Sequence, residues 1–503
     1  MIPWSAWRPS GTIDGAHSKS PRSPATHSSA GSLAGEGETA LVTSASESPP
    51  ICQSACLVLL LAAMVASLSP HAVAARTWHV PADQPTIQAG ILAASTGDTV
   101  LVASGLHRGQ GNRDIRFDRA LVLKSEGGPE RTIIDCEGTD GDNHRGFLCI
   151  YGSTGGSIDG FTITGGYVGD GGAAVRFDYG SPSLRNCVLR GNEGGTQGGA
   201  IYIFMHDHPS IEHCTITGNT ADTGAGILCL AYSTPTITDC LITDNHARQQ
   251  TGGITGAGAL PTFARCVIAG NEGWTSGGIE SKNGSLMTLN DCLIYGNRGH
   301  WNAGAAAMRY SGSIAFTGCT ITSNYSDHRG GGLYFYEGGS ATLSRTILWG
   351  DCGDWGGNEV YFEYASGMSA TLECCDVDSA GIDGEGAVIW AADNIFGDPQ
   401  LCGPEPCQNA PTDGGDYKLE SSSPCLPNAS LCAELIGARG EGCIPPPIGA
   451  CCFSDGSCVV TGQQQCEGQH GIYRGNGTTC DPNPCQPTPV KPTTWGRIKS
   501  SFR

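Results

Sequence analysis

Six phrases of one form run through the middle of the chain: NCVLRGN (186–192), HCTITGN (213–219), DCLITDN (239–245), RCVIAGN (265–271), DCLIYGN (291–297) and GCTITSN (318–324). Their cysteines, Cys187, Cys214, Cys240, Cys266, Cys292 and Cys319, recur every 26 or 27 residues. Their asparagines, Asn192, Asn219, Asn245, Asn271, Asn297 and Asn324, keep the same steps. A fixed period in this range marks a repeat architecture.

Each repeat is too short for a strand–helix–strand unit and shows no helical pattern. An apolar residue stands three positions before each Cys: Leu184, Ile211, Ile237, Phe263, Leu289 and Phe316. Another stands two positions after it: Leu189, Ile216, Ile242, Ile268, Ile294 and Ile321. The even step fits one face of a strand, and the odd step requires a corner. A third strand follows a glycine pair, as in GGAIYIF (198–204), GGIT (252–255) and GGIE (277–280). Three short strands and three corners per period describe one coil of a parallel β-helix.

Stacking explains the recurring residues. Successive coils lie about 4.8 Å apart, so like positions pile into columns. A Cys column inside the coil is a small apolar column. The alternatives are a run of disulfides or a metal site, but in-register stacking sets the side chains beside one another rather than pointing at each other. An Asn column can bond amide to amide along the axis, and Asn tolerates the left-handed backbone of a corner.

The glycine pair followed by Ile, with Cys-x-Ile-x-x-Asn, resembles the right-handed parallel β-helix repeat family, the pectin-lyase-like fold. It is also similar to the repeats of polymorphic outer-membrane proteins. The resemblance spans about Trp78 to Asp398 and implies an all-β right-handed solenoid of about 12 coils. It implies no single function, because the fold carries lyases, hydrolases, adhesins and binding proteins.

The flanks divide by composition. Residues 1–50 are rich in Ser, Gly and Pro and read as a disordered extension. Residues 51–75 read as a signal peptide: an apolar run from Leu57 to Leu68, then small residues at Ala72, Ala74 and Ala75, without the usual basic residue ahead of the run. The run is too short to span a bilayer, so no transmembrane helix is expected in the mature chain. The β-helix is assigned to 76–400. It opens with a capping helix around Ile87, Ile91 and Leu92, which covers the end of the core. A closing segment follows at 401–443. Residues 444–487 form a Cys-rich module whose Cys451, Cys452, Cys458, Cys466, Cys480 and Cys485 suit disulfides better than zinc, with the pairing open among 15 possibilities. The tail, 488–503, reads as a sorting or attachment tag or as a frayed end. The 25 cysteines point to an oxidising compartment, hence a secreted or cell-surface protein. The formal charge of −20 argues against nucleic-acid partners.

Chemistry is harder to place. No lyase or hydrolase constellation is recognisable in the repeats, so no catalytic residue is assigned and the chain reads as a binder rather than an enzyme. Alternation puts Tyr202, Phe204, Leu228, Leu230, Tyr232, Tyr334 and Tyr336 on the outer face after the glycine pair. Glu280, Lys282, Arg309 and His206 share that face. Aromatic rings beside polar groups on a long solenoid suit a carbohydrate polymer or cell-surface glycan, and exposed strands also favour aromatics for their own sake. His206-Asp207-His208 reads as a solvated corner without a third metal ligand. Two acidic loops, at Asp140 and Asp142 and at Asp376 and Asp378, offer oxygen ligands to calcium without completing a twelve-residue calcium loop. Three readings follow. The first is a non-catalytic carbohydrate-binding protein, the second a polysaccharide lyase or hydrolase with an unfamiliar site, and the third a structural surface fibre.

Overall fold

The computed structural model describes residues 74–363, 367–443, 448–454, 456–462, 466–467, 469–475, 477–481 and 484–485. The expected N-terminal extension, the apolar run and the C-terminal tail lie outside these residues.

The repeats build a parallel β-helix. Strands pass the first face thirteen times and the second and third faces eleven times each. Sheet 1 runs from Thr77–Val80 to Ala387–Trp390, sheet 2 from Ile115–Phe117 to Ile382–Gly384, and sheet 3 from Gly105–His107 to Asp376–Val377. The apolar residue before each Cys lies in sheet 1, in register from Leu184 through Ile211, Ile237, Phe263 and Leu289 to Phe316. The residue after each Cys does the same in sheet 3, from Leu189 to Ile321. All of these side chains are buried in one continuous core. Each contributes about 1.5–3 kcal/mol by leaving water.

The six ladder cysteines are free and buried. Each thiol lies against a backbone carbonyl rather than another sulfur's bonding position: Cys214 to Glu212 at 3.3 Å, Cys240 to Thr238 at 3.2 Å, Cys266 to Ala264 at 3.4 Å.

The asparagines form an unbroken ladder. Asn245 Oδ1 accepts from the backbone N–H of Asn219 at 3.1 Å and from its side-chain amide at 2.9 Å. The same amide donates to the carbonyl of Leu189 at 3.0 Å. The pattern repeats from Gly166, which donates to Asn192, down to Asp351, which accepts from Asn324. An amide has two donors and two acceptor sites, and this arrangement engages both ends of each one away from water. The left-handed backbone does not fall on the asparagines, as expected above, but one residue earlier, at Gly218, Asp244, Gly270, Gly296 and Ser323. The asparagine itself must aim inward and offer its N–H along the axis. The second glycine of each pair leaves room for the ladder: a Cβ on Gly278 would meet the Asn297 side chain at 3.3 Å and the Ala305 carbonyl at 2.5 Å. Directly after the ladder, six two-residue strands from Thr220–Ala221 to Cys352–Gly353 make a short fourth ladder.

The capping helix, α1, spans Ile87–Ala93, with the Thr86 hydroxyl accepting from the Ala89 N–H at 3.2 Å. Ile87 and Ile91 are buried, whereas Leu92, expected on the same stripe, is 63% exposed. Gly90 takes its place on the buried side, because a Cβ there would meet Val100 at 2.8 Å.

The closing segment lies along the outer face of sheet 3. Tyr417 packs on Tyr295 with ring centroids 4.2 Å apart, and Thr412 donates to the Gly296 carbonyl. Disulfides Cys352–Cys407 and Cys374–Cys432 tie it to the coils, and Cys402–Cys443 ties it to itself. In the Cys-rich module the pairs are Cys451–Cys466, Cys452–Cys485 and Cys458–Cys480.

The last rung of the asparagine ladder is a carboxyl. Asp351 is buried, and so is Glu359, whose Oε1 accepts from the N–H groups of Gly350 and Asp351. The remaining oxygens, Asp351 Oδ2 and Glu359 Oε2, receive no donor among the described residues. Burial pushes the Asp351 carboxyl up to about 7, and burial plus the neighbouring Asp351 charge pushes Glu359 well above its ordinary value. Among the described residues no cation offsets the pair, so it is stable when it shares a proton. The folded chain therefore holds that proton more tightly than the unfolded chain, whose Asp releases it near about 4. Stability falls as pH rises from about 4 until the folded pair itself ionises. Asp351→Asn restores the ladder residue and removes the proton. We expect this variant to gain about 1–3 kcal/mol at neutral pH and to show a shallower slope above about pH 4, with the part due to the burial of Glu359 remaining, as read from urea unfolding at several pH values.

Candidate functional site

The outer face of sheet 2 is where the described residues gather charge and aromatic rings together. Strand alternation behaves as expected on the inside: Ile201, Ile203, Ile227, Cys229, Leu333 and Phe335 are fully buried. The outward set is not one open strip. Tyr202 and Tyr334 are buried, Phe204 and Tyr336 are half-buried, and Tyr232 is 67% exposed. Glycine-rich turns cross over this face: a Cβ on Gly171 would meet the Tyr202 ring at 3.0 Å. Tyr232 sits past the strand end with a left-handed backbone and stacks on His206. Burial raises the Tyr202 and Tyr334 hydroxyls above their ordinary values.

At the centre of this face the strands Ile254–Ala257, Ile279–Lys282 and Ala306–Arg309 lie side by side. Register aligns Thr255, Glu280 and Ala307 in one column and Ala257, Lys282 and Arg309 in the next. Glu280 has no exposed surface. Its carboxylate accepts from Lys282 Nζ at 2.8 Å, Arg309 Nη1 at 2.9 Å and the Thr251 hydroxyl at 3.0 Å. Lys282 also reaches Gln250. Burial alone would raise the Glu280 carboxyl, but the Lys282 and Arg309 charges hold it below its ordinary value. Two cations thus face one carboxylate, leaving a local positive balance on a chain of net charge −20. Arg309 Nε and Thr255 Oγ1 are buried donors with no partner among the described residues. The Arg309 guanidinium lies 5.0 Å over the Tyr310 ring and 5.7 Å over Tyr336, and these two rings meet edge to face at 5.5 Å.

The arrangement can hold an anionic group. Two small outward residues, Ala257 and Ala307, leave the floor low, and exposed Tyr310 gives a ring at its edge. Next along the axis, Arg329 bonds Glu363 at 3.1 Å and lies over Tyr361.

The repeats match a known family at this point: residues 120–271 and 195–348 fit the one described as right handed beta helix region. This is a right-handed β-helix repeat protein. Two solved structures are similar to it in outline. One is pectate lyase Pel9A, at 12% identity and a TM-score of 0.38, covering 73% of this chain and 96% of that one. The other is the A-module of mannuronan C-5 epimerase AlgE4 from Azotobacter vinelandii, at 13% identity and a TM-score of 0.35, covering 61% and 91%. At these values neither likeness speaks to substrate or reaction. No curated protein sequence matches the chain.

The other sequence candidates stand apart from this cluster. Asp207 in the His206-Asp207-His208 corner is not solvated: it is buried and accepts from the Tyr179 N–H at 2.9 Å and the Ser181 hydroxyl at 3.2 Å. Burial pushes it up to about 6. Asp376 is likewise buried, facing the Cys425 thiol at 3.0 Å, and is raised to about 6. Asp378 caps a short 3-10 turn at Ser379–Gly381. Asp140 and Asp142 are exposed, and Asp142 lies 3.1 Å from His144. Among the described residues no three His, Cys, Asp or Glu side chains are placed to share a metal ion. No described helix is long and apolar enough to cross a membrane.

One aromatic group escaped sequence reading. Trp301, His328 and Trp355 pack ring to ring along the corner after the short fourth ladder, with Trp301 and His328 4.7 Å apart and His328 and Trp355 4.4 Å apart, while Trp274 on the preceding coil packs on His300 at 6.1 Å. Each follows the ladder residue of its own coil, Asn271, Asn297, Asn324 or Asp351, by three or four positions, which is the signal that could have found them.

The β-helix protein depends on Glu280 to hold its two cations in place. We expect Glu280→Gln to lower stability by about 2–4 kcal/mol at neutral pH, since it strands two partly buried cations. Because the Glu280 carboxyl lies below its ordinary value, the wild type keeps this contribution above about pH 4 and loses it as pH falls further, whereas the variant is flat there. Thermal unfolding across that range reads the difference.

Proposed function

We propose that this is a secreted right-handed β-helix protein that binds an acidic polysaccharide along the outer face of sheet 2 without cleaving it. The observation that carries the reading is the pairing of Lys282 and Arg309 around the single buried carboxylate of Glu280, beside Tyr310 and Tyr336. A guanidinium with an unpartnered donor suits a sugar carboxylate or sulfate, and tyrosine rings suit the apolar faces of sugars. A regular solenoid offers the length a polymer needs. Binding is preferred to cleavage because the carboxylate of the cluster, Glu280, has both oxygens engaged by Lys282, Arg309 and Thr251, which leaves it poorly placed to abstract a proton. Secretion is supported by six disulfides and by the apolar run from Leu57 to Leu68.

Titration calorimetry with oligogalacturonate and with an uncharged oligosaccharide of equal length tests this. The acidic chain is expected to bind and to weaken with salt. Arg309→Ala is expected to lose about tenfold to a hundredfold in affinity, the worth of one charge-assisted contact. Equal binding of the uncharged chain would overturn the reading. Accumulation of unsaturated sugar products, with or without calcium, would replace it with a lyase.

A further inference from the structure

The outer face of sheet 1 carries a different surface. Sheet 3 is covered by the closing segment and sheet 2 bears the charged cluster, but no described residue lies across sheet 1 over its later coils. There the strands lengthen to five residues, at Leu286–Asn290, Ser313–Thr317, Ser340–Ser344 and Ser369–Glu373. Their inward residues are buried and the outward ones open, as in the Ser340–Ser344 strand. Register gathers the outward residues into a central column of Thr236, Thr262, Thr288, Ala315, Thr342 and Thr371. From Thr236–Thr238 to Ser340–Ser344 no outward side chain on this face is charged. Charge returns at the rim, in the Arg265–Asp239 pair at 2.7 Å and the Arg345–Glu434 pair at 3.2 Å.

The pad has a knob and a hole. Leu286 stands 53% exposed at one border. Beside it, the single methyl of Ala315 between Thr288 and Thr342 leaves a shallow depression of about 200 Å³. A knob and a hole on one patch are what a two-fold contact needs, since each copy then offers both to the other.

We propose that this pad is a contact between two copies of the chain, with Leu286 of each seated over Ala315 of the other. Charge selects the occupant. Two chains of net charge −20 repel, and the uncharged pad lets them touch without bringing like charges together. A polar rim around an uncharged centre is also the usual anatomy of an interface. Three strands about 17 Å long and two about 10 Å long, all about 4.8 Å apart, give roughly 350 Å² per partner, less than half the standard interface, so the dimer is weak and reversible.

Sedimentation velocity of the full chain from about 1 to about 100 μM, the range that a small interface requires, tests the proposal. The wild type is expected to shift from monomer toward dimer with concentration, and further with added salt as the repulsion is screened. Thr342→Glu places two carboxylates across the contact and is expected to stay monomeric throughout, with an unchanged melting temperature. Leu286→Ala is expected to weaken the dimer about tenfold, the loss of one buried side chain. A wild type that stays monomeric overturns the proposal, and so does a dimer that survives both substitutions. Loss of binding to an insoluble uncharged glycan in a monomeric Thr342→Glu chain, with a monomeric wild type that binds it, would give the pad to a polysaccharide instead.

Discussion

The asparagine column is the interaction on which the rest of the molecule depends. Each coil leaves the solenoid core at the corner between sheet 3 and the short fourth ladder, where backbone groups would otherwise be stranded away from water. Asn219, Asn245, Asn271, Asn297 and Asn324 meet those groups with both ends of their amides. A buried amide with full hydrogen bonding is stabilising, and the same amide with a missing partner is costly. The ladder therefore fixes which coil sits over which. Once that register is set, the apolar columns of sheets 1 and 3 fall into line and one core runs the length of the coils.

The charged cluster of sheet 2 and the uncharged pad of sheet 1 follow from this same register. Glu280, Lys282 and Arg309 come from two coils and meet only because Ile279–Lys282 and Ala306–Arg309 pair residue for residue. The threonine column of sheet 1 exists for the same reason. On one face stacking concentrates charge, and on another it removes charge over several coils. A slip of one residue would turn every outward group inward and abolish both.

Much of the fold was legible because its determinants repeat. The Cys and Asn steps, together with the apolar residues on either side, located sheets 1 and 3, and the glycine pairs located sheet 2. What did not repeat was not legible. Arg265 adopts left-handed backbone just before Cys266, though its residue type does not favour it. The corner geometry imposes it on whatever residue stands there. Alternation correctly sent Tyr202 and Tyr334 outward, but it could not show that glycine-rich turns cover them. The cluster residues were placed on the right face, yet their grouping around a buried Glu280 rests on side-chain reach, which spacing does not encode. Three disulfides beyond the Cys-rich module were missed because their partners lie 41 to 58 residues apart.

A double-mutant cycle on adjacent rungs measures the central claim directly. Urea unfolding would be compared for Asn245→Ala, Asn271→Ala and the double variant. Adjacent rungs bonded to each other should each cost about 2–4 kcal/mol alone and couple by about 1 kcal/mol or more, so that the double variant loses less than the sum. Additive losses, or losses near zero, would show that the amides do not bond along the axis and that something else sets the register.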